Sequence, residues 1–202
     1  MSLNLFEHSQ QNLLPYEGEV YLYENLLIEN EHLLFFKQLE STVQWKQEGM
    51  KMYGKYIDFP RLTAWYGEEG SVYKYSGIVN IPLPFTSLLS KIKEAVEHKI
   101  GEEFNSALLN LYRNEKDSMG WHSDDEPELG VNPTIASISF GETRLFQFKH
   151  KKIQKTTKNF LLPNNSMLLM KGTTQHNWVH QLPKSSKACN PRINITFRKI
   201  KV

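Results

Sequence analysis

Three observations predict a mainly β fold of the α+β class, with helices toward the N-terminus and a β sandwich or barrel behind them. Up to Gly101 the apolar residues recur at helical spacing, and from Ser106 onward they fall into short β-rich runs. Those runs are regularly spaced and bounded by turn residues. At 202 residues and 40% hydrophobic composition the chain can bury one sizeable core, so one domain over residues 1–202 is expected.

Each element has its own signal. Leu33, Phe36, Leu39 and Val43 repeat at helical spacing after Asn30, a residue type that caps helix N-termini. Phe85, Leu88, Leu89, Ile92 and Val96 repeat the pattern, and Gly101 supplies the stop. The strand runs are ALLNLY, TIASIS, TRLFQF, SMLLM, NWVHQL and RINITF. The sequence shows no internal repeat, low-complexity tract or clear linker.

Charge and composition narrow the function classes. A formal net charge of +2 is too small to announce a nucleic-acid binder, so the distribution of charge decides. Lysines gather at Lys149, Lys151, Lys152, Lys155 and Lys158, at Lys184 and Lys187, and at Lys51 and Lys55. Taken singly such clusters are solvated loops; bordering one cleft, they form a rim that tracks phosphates. Cys189 is the single cysteine, which excludes an internal disulfide and fits a reducing compartment. No apolar run matches a signal peptide or a membrane span. A soluble intracellular protein, cytoplasmic or nuclear, is expected, as a monomer with no membrane and no obligate protein partner.

The chemistry lies in His122-Ser123-Asp124, in His180, and in the segment from Arg192 to Arg198. Alternate residues of a strand share a face, so His122 and Asp124 can chelate one ion while Ser123 turns away. Two imidazoles and a carboxylate make the facial triad of non-haem Fe(II), which leaves coordination positions open. The triplet alone is weak evidence, since most H-x-D triplets mark solvated turns. The last segment strengthens it. Arg192, Asn194, Thr196 and Arg198 share one face, with Ile193, Ile195 and Phe197 on the other. An exposed edge strand has this pattern, and so does a strand whose polar face lines a barrel. In a barrel the two guanidiniums need anionic partners, and a dicarboxylate suits arginine's planar fork. Fe(II) with 2-oxoglutarate is the economical account.

The segments PRLTAWYG, YKYSG, NLYRNEKDSMGWHSDDE, IASISFG, HNWVHQLP and PRINITFRK resemble the AlkB family of Fe(II)- and 2-oxoglutarate-dependent nucleic-acid demethylases. The likeness runs from about Pro60 to Ile200, continues more weakly back through Met50, and is closest to the duplex-DNA repair branch. The resemblance implies a double-stranded β-helix (jelly-roll) core with N-terminal bracing helices and a nucleotide-recognition region at about 50–80. It implies that His122, Asp124 and His180 hold the iron, with His180 preferred to the nearby His176. Asn110 and Tyr112 then contact 2-oxoglutarate, Arg192 binds its distal carboxylate, and Asn194, Thr196 and Arg198 shape the rest of the pocket. A plain polar lining is the alternative for Asn110 and Tyr112, and Ser118 and Met119 complete the turn into Trp121.

The implied reaction couples oxidative decarboxylation of 2-oxoglutarate by O2 to loss of an N-methyl group as formaldehyde, for direct repair of alkylated DNA. The implied lesions are 1-methyladenine and 3-methylcytosine. RNA is the alternative substrate, and a catalytically silent binding module or a protein hydroxylase are the other readings. A methyl on a pairing edge is reached only when the nucleotide leaves the duplex. Tyr73, Tyr75 and Ser76 match the family's base pocket, with Tyr75 stacking the base against His122 and Tyr73 bonding through its hydroxyl. Asp125 and Glu126 accept from an exocyclic amine and favour a cationic base, or else form a solvated acidic turn. Tyr53, Gly54 and Lys55 resemble the hairpin that duplex-acting members wedge into the helix, with tyrosine in place of the usual phenylalanine. Arg61 is the candidate contact to the opposite strand.

Overall fold

The computed structural model describes residues 11–27, 31–52, 54–70, 73–75, 78–80 and 82–201; for 31, 32, 52, 73–75 and 78–80 it describes the backbone alone. Strand β1 (Glu19–Tyr23) leads to helix α1 (Glu31–Thr42). There follow β2 (Gly49–Met52), β3 (Lys55–Asp58), β4 (Leu62–Gly67), β5 (Tyr73–Tyr75) and β6 (Ile78–Asn80). Helix α2 (Ser87–Ile100) precedes β7 (Ser106–Tyr112), β8 (Met119–His122), β9 (Ile135–Gly141), β10 (Arg144–His150), β11 (Thr157–Leu162) and β12 (Ser166–Lys171). The one-turn helix α3 (Thr174–Asn177), β13 (Trp178–Leu182) and β14 (Arg192–Arg198) complete the fold.

A six-stranded antiparallel sheet, in the order β1-β12-β9-β14-β7-β4, faces a four-stranded one in the order β11-β10-β13-β8. Val20, Ile135, Leu168 and Met170 of the larger sheet pack against Phe146, Phe148, Trp178 and Leu182 of the smaller, so one apolar layer joins them. This is the expected jelly-roll core. The outer face of the larger sheet is covered by helices: Ile193, Ile195 and Phe197 cluster with Leu39 of α1 and with Leu89, Ile92 and Val96 of α2. Each such buried aliphatic side chain contributes about 1.5–3 kcal/mol.

Helix α2 follows its sequence signals. Thr86 caps it by accepting the Leu89 N–H, and Gly101, left-handed at φ 77°, donates its N–H to Glu97 at the end. Phe85 stands before the cap and packs on the core from outside the helix.

Helix α1 departs from expectation. Phe35, Leu39 and Val43 form its buried stripe, whereas Leu33 is 59% exposed. Its expected cap, Asn30, lies outside the described residues. The helices-then-strands order is also incomplete, because β1 pairs with β12 and β4 with β7 as the two edges of the larger sheet. No helix among the described residues is long and apolar enough to cross a membrane.

Candidate metal and dicarboxylate site

The site is built where the two sheets face each other. In the smaller sheet β13 lies between β10 and β8, and its register sets His180 directly opposite His122. Their ring centroids are 4.2 Å apart. Strand β8 ends at His122, so Asp124 lies beyond the strand rather than on it, a correction to the spacing argument. Its carboxylate reaches the histidines all the same: ligand atoms of His122, Asp124 and His180 lie within 4.8 Å of one another. Among the described residues this is the group able to hold a metal ion.

The protonation states suit a metal. His122 Nδ1 lies 2.8 Å from the Gly120 carbonyl, which only accepts, so Nδ1 carries the proton and Nε2 is the free ligand atom. Burial above all, and then His122, lower the His180 pKa to about 3, which leaves a neutral ring, and its Nδ1 has no hydrogen-bond partner. Burial pushes the Asp124 carboxyl up, but Arg198 and the two histidines outweigh it and hold the pKa below the ordinary value. Arg198 Nη2 donates to Asp124 Oδ1 at 2.8 Å. Burial also pushes the Tyr112 phenol up.

The inner face of β14 adds a polar wall. Arg192, Asn194, Thr196 and Arg198 line one cavity together with the three candidate ligands, Asn110 and Tyr112. Asn194 Nδ2 donates to Ser137 Oγ at 2.8 Å, and the Thr196 hydroxyl donates to Asn194 Oδ1 at 3.0 Å. Arg192 is 1% exposed, lies 5.5 Å over the Tyr112 ring, and donates from Nη2 to Ser139 Oγ at 2.8 Å. Burial, then Arg144, lower its pKa to about 10, so it stays cationic at neutral pH. Its Nε is buried with no hydrogen-bond partner. A buried cation with an open donor calls for an anion, and a carboxylate fits.

A wider cleft adjoins this cavity and shares Leu108, Met119, His122, Asp124 and Arg198 with it. Phe59, Arg61, Trp65, Glu48 and Glu126 form much of the remaining wall. Asp125 and Glu126 part company here. Asp125 is exposed and accepts from Lys151 Nζ at 3.0 Å, whereas Glu126 lines the cleft with Oε2 buried and without a hydrogen-bond partner.

Known proteins carry the same pattern. The model of the 2OG-Fe(II) oxygenase superfamily matches residues 19–198. The human alpha-ketoglutarate-dependent dioxygenase alkB homolog 3 is 42% identical over 91% of this chain and 66% of its own length. The cattle protein of that name is 45% identical over 82% and 60%. Mouse DNA oxidative demethylase ALKBH2 is 35% identical over 82% of this chain and 73% of its own length. The chain belongs to the AlkB family. It spans less than two thirds of each of the two alkB homolog 3 proteins. A solved structure titled "The structure of OsALKBH1" superimposes with a TM-score of 0.60, covering 89% of this chain and 97% of the other at 18% identity, and so shares the fold.

Against the AlkB resemblance, two placements differ from expectation, those of Arg61 and Met119. Arg61 is buried and donates from Nε to Asn110 Oδ1 at 2.8 Å, with its guanidinium over the Phe59 ring, so it faces inward rather than toward an opposing strand. Met119 does more than complete a turn: it opens β8 and lines both cavities. His176 is exposed in α3, apart from the ligand group. Gly54 and Lys55 are exposed at the turn of the β2/β3 hairpin, where Gly54 has φ 79°. Tyr53 and Ser76 lie outside the described residues, and of Tyr73 and Tyr75 only the backbone, in β5, is described. Lys151 pairs with the exposed Asp125 and lines neither cavity. Sequence reasoning missed Gln175, which accepts from the Asp124 backbone, because a lone buried amide leaves no periodic signal. Trp65, on the cleft wall, was missed as well, since the burial of its strand does not alternate.

Proposed function

We propose that this AlkB-family chain is a 2-oxoglutarate-dependent oxidative demethylase of N-alkylated nucleic-acid bases, with 1-methyladenine and 3-methylcytosine in DNA as its first substrates. The observation that carries the reading is one cavity lined both by His122, Asp124 and His180 and by the buried, incompletely bonded Arg192. His122, Asp124 and His180 hold Fe(II), and Arg192 binds the distal carboxylate of 2-oxoglutarate. When bound with O2, these groups supply oxidative decarboxylation and hydroxylation of a C–H bond. Asn194 and Thr196 order the wall beside Arg192 through their own hydrogen bonds. Arg61 holds the Asn110 amide at 2.8 Å, which fixes the oxygen Asn110 presents inside the core.

The base enters the adjoining cleft beside His122. There the open Glu126 oxygen accepts from an exocyclic amine, and its charge favours a cationic methylated base over a neutral one. The names of the relatives, which include "DNA oxidative demethylase", support this class. We read residues 1–202 as one catalytic domain acting as a monomer, with nucleotide recognition at about 50–80. Tyr75 stacks the base and Tyr53 enters the vacated stack.

Methylated oligonucleotides incubated with the protein, Fe(II), ascorbate and 2-oxoglutarate test the proposal by mass spectrometry. Unmodified base and succinate in equal amounts are expected, with duplex DNA at least matching single-stranded RNA. Faster turnover of RNA would move the substrate to RNA. Oligonucleotide binding without succinate would leave a silent binding module.

A further inference from the structure

The backbone that carries Asp124 has no sheet to hold it. Strand β8 stops at His122, and residues 123–126 continue without regular pairing. A metal-binding carboxylate needs a fixed direction, so side chains must supply what backbone pairing does not. Arg198 holds one carboxylate oxygen, and Lys151 Nζ holds Asp125 Oδ2 at 3.0 Å. The backbone of Asp124 itself is held by Gln175, whose Oε1 accepts the Asp124 N–H at 3.0 Å.

We infer that Gln175 is a positioning residue for the metal: it sets the peptide at Asp124 so that the carboxylate meets His122 and His180. The inference rests on the iron reading above. Gln175 is 1% exposed and bonded at several points, so its oxygen is not free to turn. Its Nε2 faces Met170 Sδ at 3.5 Å, and its backbone carbonyl accepts from Lys151 Nζ at 2.8 Å. Its neighbour Thr174 anchors α3, donating to the Lys171 carbonyl at 2.6 Å and accepting the Glu19 N–H at 2.8 Å. Helix α3 runs directly into β13, the strand of His180. One short turn therefore registers two ligands from separate elements. Such outer partners of metal ligands are commonly worth about ten- to a hundred-fold in metal affinity.

The test is Mn(II) binding to the metal-free protein, followed by electron paramagnetic resonance of the free ion, because Mn(II) accepts the same nitrogen and oxygen donors. Gln175→Leu keeps the volume and removes the acceptor; it is expected to weaken Mn(II) binding roughly ten- to a hundred-fold. Gln175→Glu restores an accepting oxygen and is expected to recover most of that loss, which a merely space-filling role would not produce. If Gln175→Leu does not fold, Gln175→Met, of matching length, takes its place. Wild-type affinity in the apolar variant overturns the inference, as does equal weakness in the apolar and Glu variants. Asp124→Ala in the same assay separates the two readings: a wild-type protein without Mn(II) affinity, or undiminished binding by Asp124→Ala, overturns the iron reading and this inference together.

Discussion

Arg198 donates to Asp124 Oδ1 at 2.8 Å, while the nearest His180 nitrogen is 4.0 Å from Asp124 Oδ2. The guanidinium thus neutralises the carboxylate, and His180, its pKa lowered chiefly by burial, stands beside it uncharged rather than as an ion-pair partner. A charged carboxylate and a neutral imidazole side by side are the states a divalent metal requires.

These states make the metal-free protein sensitive to acid. His180 titrates at about 3 when folded and near 6.5 when unfolded, so between those values the unfolded chain binds more protons and stability is lost as the pH falls. Asp124, also depressed, adds a loss in the same direction as pH drops through its folded value, below the ordinary carboxylate range. Urea unfolding of metal-stripped protein should show stability declining below about pH 6.5, by up to ~1.4 kcal/mol per pH unit from His180. His180→Asn should flatten that decline; an unchanged slope would assign it to other groups.

His122→Ala, Asp124→Ala and His180→Ala should each abolish turnover and Mn(II) binding, while the exposed His176→Ala retains both. An inactive His176→Ala beside an active His180→Ala would exchange the two histidines' roles.

Arg192→Ala should raise the 2-oxoglutarate concentration for half-maximal succinate formation by roughly ten- to a hundred-fold. Hydrogen bonds to a charged group are worth about 1.5–3 kcal/mol, and about 1.4 kcal/mol is a factor of ten. The check is a 2-oxoglutarate titration at saturating oligonucleotide, and a curve that does not move sinks the assignment.

Glu126→Gln should lower kcat/KM for 1-methyladenine several-fold more than for a neutral lesion, since it keeps the shape and removes the charge. Asp125→Asn, whose carboxylate is engaged by Lys151, should show little such bias. Steady-state kinetics on matched oligonucleotides separates them, and a bias in Asp125→Asn alone would reverse the two roles.

The sequence carried much of this because period-two alternation survives in β14: Arg192, Asn194 and Thr196 line the cavity and Ile193, Ile195 and Phe197 meet the helices, as the spacing implies. Helix α2 was equally legible through Gly101. Other features were not. The stripe of α1 runs from Phe35 and not Leu33, because adjacent apolar residues leave the phase open until the sheet chooses. Strands β1 and β4 are short, and what makes them strands is pairing with β12 and β7, far along the chain. Arg61 looked like a surface cation, since nothing local shows that Asn110 will receive it. The Gln175 contact bridges a loop to a one-turn helix and follows no repeat.

The placement of β14 between β9 and β7, under the helices and over the cavity, has a consequence for how the molecule breathes. Its backbone is paired along both edges, and its side chains are buried on both faces. Local opening cannot release it without separating the larger sheet, so its amides should exchange with deuterium only on global unfolding, while those of the exposed β2/β3 hairpin exchange early. Destabilising changes anywhere on the helical side would then disturb the polar wall formed by Arg192, Asn194 and Thr196 only when the whole domain melts.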